Sequence, residues 1–283
     1  MAATTDAVSL ERITLPSTGR AERFVHLRNM VWPKLLAVAI FVTVWQGVVW
    51  THWKTEVVVP SPFTVFARVG NDRALLWDGA LVTLERGILG FLVAALIGGI
   101  IGISVARLRV LRDAIGSMVT GLQTMPSVAW LPLAVILFKL GEGAIFFVVV
   151  LGAAPSIANG IIDGIDHVPP ILLRAGRVLG ARGLSSLRHV VIPAALPSVA
   201  SGLKQGWAFA WRSLMAGELI TTIPGRQGLG NYMNQSKDLA DYTGVYAAMV
   251  VIFVIGIVVD AVFFGTAVRR IRRRYGLLDA ASD

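Results

Sequence analysis

Four stretches of the chain, 35–50, 87–106, 114–138 and 143–162, run without a single Asp, Glu, Lys or Arg. Their lengths fall around the roughly 20 residues a helix needs to cross hydrocarbon. Two further apolar stretches are interrupted by charge: 198–223 contains Lys204, Arg212 and Glu218, and 243–268 contains Asp260. Together they predict an all-α membrane protein with six transmembrane helices. The longest polar connection, about 163–197, lies between the fourth and fifth.

Composition agrees with this pattern. Of 283 residues, 55% are hydrophobic and 15% charged, against about 25% charged in a soluble globular domain; the mean hydropathy is +0.70. A large soluble enzyme is excluded. The net charge of +9 would suggest nucleic acid in a soluble protein, but in a membrane protein basic excess collects on cytoplasmic loops. It is therefore read as topology, with no nucleic-acid partner. With the N-terminus inside, the inside segments carry 17 Lys and Arg and the outside segments 6, which predicts N-in, C-in orientation. The first apolar stretch has no cleavage signal after it and reads as an uncleaved helix. Residues 1–30 and 276–283 read as cytoplasmic tails, and 31–275 as one membrane domain.

With no cysteine, disulfides, Cys-ligated zinc and thiol catalysis are excluded. His26, His52, His167 and His189 are scattered, so no metal or catalytic residue is assigned. Pro126, Pro132 and Pro155 lie inside apolar stretches, where each removes a backbone donor. Helices with such breaks face protein or a water-filled cavity, so 124–132 is either a pathway wall or a kinked packing helix. Glycines recur four apart at Gly98 and Gly102, Gly160 and Gly164, and Gly202 and Gly206, a spacing that favours close packing within the chain over a dimer seam. Arg212, Glu218 and Asp260 persist in apolar surroundings only where a partner or water meets them. Six residues apart, Arg212 and Glu218 point to different helix faces. Arg212 is expected either to pair with Asp260 or to attract an anionic solute.

The connection 164–197 is too long and too apolar for a simple linker. Pro169 and Pro170 favour a helix start, Ile171, Leu172, Ala175, Val178 and Leu179 recur at helical spacing, and Gly180 can end that helix in the left-handed region. A second short helix is expected over 184–191, closed by Pro193 and Pro197. These residues resemble the permease subunits of binding-protein-dependent ABC importers. That family has an E-A-A motif, a glycine four residues after its last alanine, and an I-x-x-x-L-P ending. Here Arg174-Ala175-Gly176 stands at E-A-A, Gly180 is the glycine, and Ile192 with Leu196-Pro197 forms the ending. Arg174 replaces the glutamate and Gly176 an alanine, which removes any salt bridge from the acidic position. Met125-Pro-Ser-Val-Ala-Trp-Leu-Pro132, Ala216-Gly-Glu-Leu-Ile220 and Gly228-Leu-Gly230 are similar to the nitrate, sulfonate, taurine and bicarbonate branch.

The resemblance implies a bacterial inner-membrane, multi-pass transport subunit rather than an enzyme. It implies a second permease copy, two ATPase subunits that bind ATP and Mg, and an extracytoplasmic solute-binding protein. The loop residues Arg174 to Gly176, Gly180, Ala181, Arg182 and Gly183 would couple to the ATPase, with Arg182 and Gly183 in the short docking helix. No G-x-x-x-x-G-K-[ST] run is present, so hydrolysis is not expected from this chain. Gln123, Ser127, Trp130, Asn159, Arg212 and Glu218 are the candidate path residues for a small, anionic solute. An ion-coupled carrier using Arg212, Glu218 and Asp260, or a membrane scaffold that transports nothing, are the alternatives; the first would call for inverted repeats, which the sequence lacks.

Overall fold

A computed structural model describes residues 20–274, and among them every regular element is helical. Residues 1–19 and 275–283 lie outside the described residues, and with them most of the two expected tails. Helix α1 (Arg20–Trp50) begins eleven residues before the expected membrane domain. It belongs to a unit of its own that ends at Lys54, and from Trp32 on it is an apolar span whose Leu35, Val38, Phe41 and Val44 are exposed.

The second unit opens with α2 (Pro62–Asn71), started by Ser61, whose hydroxyl accepts from the Thr64 N–H, and by Pro62 in the first turn. Next come α3 (Arg73–Arg107) and α4 (Arg109–Thr124). The apolar stretch 114–138 does not continue as one kinked helix. Met125, held extended before Pro126, ends α4, a 3₁₀ turn covers Ser127–Trp130, and α5 (Leu131–Phe138) leaves at 107° to α4. The bend follows from where the prolines fall: Pro126 stops one helix and Pro132 sits in the first turn of the next.

Helix α6 (Glu142–Asp166) is the centre of this unit, packed between α3 and α9 (Ile192–Ile220). Ala94, Ile145, Val149, Ala153, Ile157, Ala210 and Leu214 form its main core. The paired glycines mark the crossings. A Cβ on Gly98 would lie 2.5 Å from the Ala154 carbonyl, one on Gly102 2.8 Å from the Ala158 carbonyl, and one on Gly160 2.5 Å from the Gly202 Cα. The small residues thus serve contact within the chain, as their spacing predicts.

Between α6 and α9 come α7 (Pro170–Val178) and α8 (Leu184–Ser186), the latter running through a π turn over Leu187–Val191 straight into α9. Pro193 and Pro197 therefore do not close a separate helix. In the π turn the Ile192 N–H bonds to the Leu187 carbonyl, five residues back. The widened turn relieves the clash between the Pro193 ring and the carbonyl four residues before it. The unit ends with α10 (Leu229–Asp238), α11 (Tyr242–Val259), a second π turn and α12 (Gly265–Arg274). By length and apolarity α3, α6 and the stretch from Tyr242 to Ile271 can each cross a membrane, and the α4–α5 pair can together form one more span. Helix α9 is 29 residues long but carries Lys204, Arg212 and Glu218, and does not reach that standard of apolarity.

Candidate functional site

Three arrangements lie along α9. At its N-terminal end, α7 stops at Val178 and the chain reverses at Gly180, whose φ of +83° is open to glycine. The Ala181 N–H bonds to the Gly176 carbonyl and the Gly180 N–H to the Arg177 carbonyl, the paired bonds of a Schellman ending. Gly176 is buried, and a Cβ there would stand 2.7 Å from Val190 Cγ2. The missing methyl of the E-A-A pattern is thus the space the π turn occupies. Arg182 and Gly183 sit in the turn before α8, two residues and one residue ahead of the helix expected to hold them. Val178, Leu179 and Leu184 are 87%, 86% and 79% exposed, and the exposed Arg174, Arg177 and Arg182 lie around them. Among the described residues Arg174 forms no ion pair.

Along its N-terminal half, α9 joins α4 and α6 around a polar cavity of about 650 Å³, lined by Thr120, Gln123, Ser156, Asn159, Asp163, Ser201 and Gln205 among others. Asn159 donates its amide N–H to Gln123 Oε1 at 2.6 Å. Ser156 is 2% exposed, and its hydroxyl has no hydrogen-bond partner among the described residues.

At the C-terminal end of α9, Glu218 is fully buried and its carboxylate accepts from Thr83 Oγ1 at 2.9 Å, Arg86 Nη1 at 3.0 Å and the Gly230 N–H at 3.0 Å. Thr83 accepts from the Leu229 N–H, and Arg86, 1% exposed, also donates to the Arg226 carbonyl. Arg226 bridges Glu142 and Glu85 on the surface. A Cβ on Gly230 would stand 2.5 Å from Glu218 Cβ, and one on Gly228 would run into the carboxylate. The Ala216-Gly-Glu and Gly228-Leu-Gly motifs are therefore two halves of one pocket for a carboxylate. Nearby, Tyr232 donates to Asp72 at 2.7 Å. Burial, and then this bond, push its phenol above its usual value, so it stays a donor through the physiological range.

The candidate path residues are thus dispersed. Gln123 and Asn159 meet in the polar cavity; Ser127 bonds Ser213 at 2.7 Å, and Trp130 packs on the cluster around Leu131 and Val148. Glu218 is held inside the protein and cannot face a passing solute. Arg212 does not pair with Asp260. Its Nε–H goes to the Ala208 carbonyl, its guanidinium lies 4.6 Å from the Phe209 ring, and Asp260 pairs with Lys204 at 3.1 Å. Helix α11 runs antiparallel to α9, so Gly256 comes level with Trp211 and Asp260, one turn on, level with Lys204. Arg86 does not stand out in the sequence. Its one signal is a position just ahead of the charge-free stretch 87–106.

A helical unit with small-residue crossings and a basic, apolar-tipped excursion beside its longest helices describes a transporter's membrane subunit. Residues 87–273 match the family of binding-protein-dependent transport system inner membrane components, and the chain belongs to that family. It is 34% identical over 185 residues to a protein of Methanocaldococcus jannaschii named as an ABC transporter permease, covering 65% of this chain and 68% of that one. It is 27% identical to the taurine transport system permease protein TauC of Escherichia coli (83% and 90% covered) and 28% identical to the bicarbonate transport system permease protein CmpB of Synechococcus elongatus (74% of each). The inward-facing MetNI methionine ABC transporter shares the fold, with a TM-score of 0.60 and 20% identity over 71% of this chain and 98% of that one.

Proposed function

We propose that the chain is the membrane-spanning half of an ATP-driven importer in which two permease copies form an alternating-access path. A separate pair of ATPase subunits binds ATP and Mg, and an extracytoplasmic protein delivers the solute. On this reading α1, α3, α4 with α5, α6, α9 and α11 with α12 are six spans with both chain ends and residues 164–197 in the cytoplasm, an orientation supported by the basic excess on those segments. The names of the relatives point to a small solute with an acidic group. The polar cavity supplies the inner part of the path, and Arg212 continues its face of α9 about 10 Å further along the axis.

One observation carries this reading: an excursion with exposed apolar tips ringed by arginines, joined without a break to a long helix of the bundle. Exposed Val178, Leu179 and Leu184 call for a partner groove, and Arg174, in place of the usual glutamate, calls for an acidic rim on it. The test is to purify the tagged chain from its host membrane and assay ATP hydrolysis in the complex, with and without Gly180→Pro. Proline fixes φ near −65°, incompatible with +83°. The variant is expected to reach the membrane but to lose its ATPase partner or at least about nine-tenths of hydrolysis, about 1.4 kcal/mol on the activation scale. A chain that purifies with no nucleotide-hydrolysing partner would sink the reading.

A further inference from the structure

The polar cavity between α4, α6 and α9 has a chemistry that separates the solute classes carried by its relatives. Its lining contains hydroxyls, amides and one carboxylate, Asp163, and no Lys or Arg. Of the cations on the adjoining turns, Arg112 is engaged at 2.7 Å by Asp166 and Lys204, between the lining residues Ser201 and Gln205, at 3.1 Å by Asp260, and Arg212 stands two turns of α9 beyond the cavity. Asp163 is exposed and has no hydrogen-bond or ion-pair partner among the described side chains. The last turn of α4, with Gln123, and that of α6, with Asp163, face this space. Both are carboxyl ends, which carry partial negative charge; α9 contributes no free amino end because it continues from α8.

A bare inorganic anion would meet only neutral donors here, in a field that opposes it. The neutral groups are nonetheless ready for a ligand. Ser156 is a buried hydroxyl with no partner among the described residues, and the Asn159–Gln123 bond uses neither the Gln123 amide N–H nor the Asn159 carbonyl.

From this geometry we infer that the cavity is a subsite for a small zwitterion, an ammonium group set against Asp163 and its acidic group held by the Gln123 amide and the serine hydroxyls. The inference rests on the permease reading and narrows its solute to aminosulfonate-like molecules over nitrate or bicarbonate.

The permease–ATPase complex in lipid nanodiscs, without binding protein, provides the test, with radiolabelled taurine as probe and ethanesulfonate, the same molecule without its ammonium group, as competitor. Taurine is expected to bind about fivefold more tightly than ethanesulfonate, the scale of one exposed charge contact, with nitrate weaker still. Asp163→Asn should bring taurine and ethanesulfonate together, Asp163→Glu should keep them apart, and Ser156→Ala should weaken both without changing their ratio. Equal binding of nitrate or ethanesulfonate to the unmodified complex, a ratio that survives Asp163→Asn, or no taurine binding by a complex that still hydrolyses ATP would each overturn the assignment and leave the importer reading standing. Loss of the ATPase partner itself would instead fell the importer reading.

Discussion

Glu218→Ala is expected to destabilise the protein by about 3 kcal/mol, because it removes the enclosed carboxylate and leaves the buried Arg86 guanidinium only its longer contact to the half-buried Glu142, at 3.4 Å. The pair is enclosed on both sides, at 1% and 0% exposure, so solvent cannot take over from the missing carboxylate. The same change strips acceptors from the Thr83 hydroxyl and the Gly230 N–H, and so loosens the 221–231 segment from α3 as well as from α9. Melting of the detergent-purified protein, followed by fluorescence-detected size exclusion, would register it. Glu218→Gln keeps an acceptor for Thr83 and Gly230 and should fall between the alanine variant and wild type. Arg86→Met combined with Glu218→Leu should recover part of the loss, since the buried guanidinium that lost its closest carboxylate is then gone as well. A Glu218→Ala protein that melts with wild type would show that the pair contributes nothing.

The second large effect is expected at the α6–α9 crossing. A methyl on Gly160 meets the Gly202 Cα, which is backbone and cannot swing aside as a side-chain end would. Gly160→Ala should therefore sit at the upper end of overpacking costs, about 2–3 kcal/mol, and Gly160→Val should prevent accumulation of folded protein. Gly99 is the control: it lies on α3, and a methyl there would have nothing within 4 Å, so Gly99→Ala should be neutral or stabilise by up to about 1 kcal/mol through helix propensity. If both alanine variants melt together, the two helices do not approach as closely as described.

Features set by local chemistry were legible in the sequence. The apolar stretches return in α1, α3, α6 and the run from α11 into α12, the glycine pairs fall at helix crossings, and Gly180 ends α7 in the left-handed region. What escaped depends on which parts of the chain come level in space. Glu218 reads as a buried charge, but its partner Arg86 is 132 positions away and resembles an ordinary residue flanking a span. Asp260 reads as a partner for Arg212 because both are isolated, yet the antiparallel run of α11 brings it to Lys204. Two prolines six apart predict a kink; only the placement of one at a helix end and the other at a helix start makes it a 107° bend. In the sequence the path residues stand out only as polar groups among apolar ones, which does not separate Asn159, in a cavity wall, from Ser127, already matched to Ser213.

The unbroken run from Leu184 to Ile220 has a mechanical meaning. At 1.5 Å per residue it is a rod about 55 Å long, with the exposed arginine-flanked tip beside one end and the Arg86–Glu218 lock at the other. A break at Pro193 would have uncoupled the tip from α9; the π turn keeps the hydrogen-bonded backbone running through this point. Were the run to move as one body, Pro197 included, a tilt of about 5° at the tip would carry the far end of a 55 Å arm about 5 Å. The polar cavity lies along that arm, where a sideways sweep of α9 against α6 would change its width.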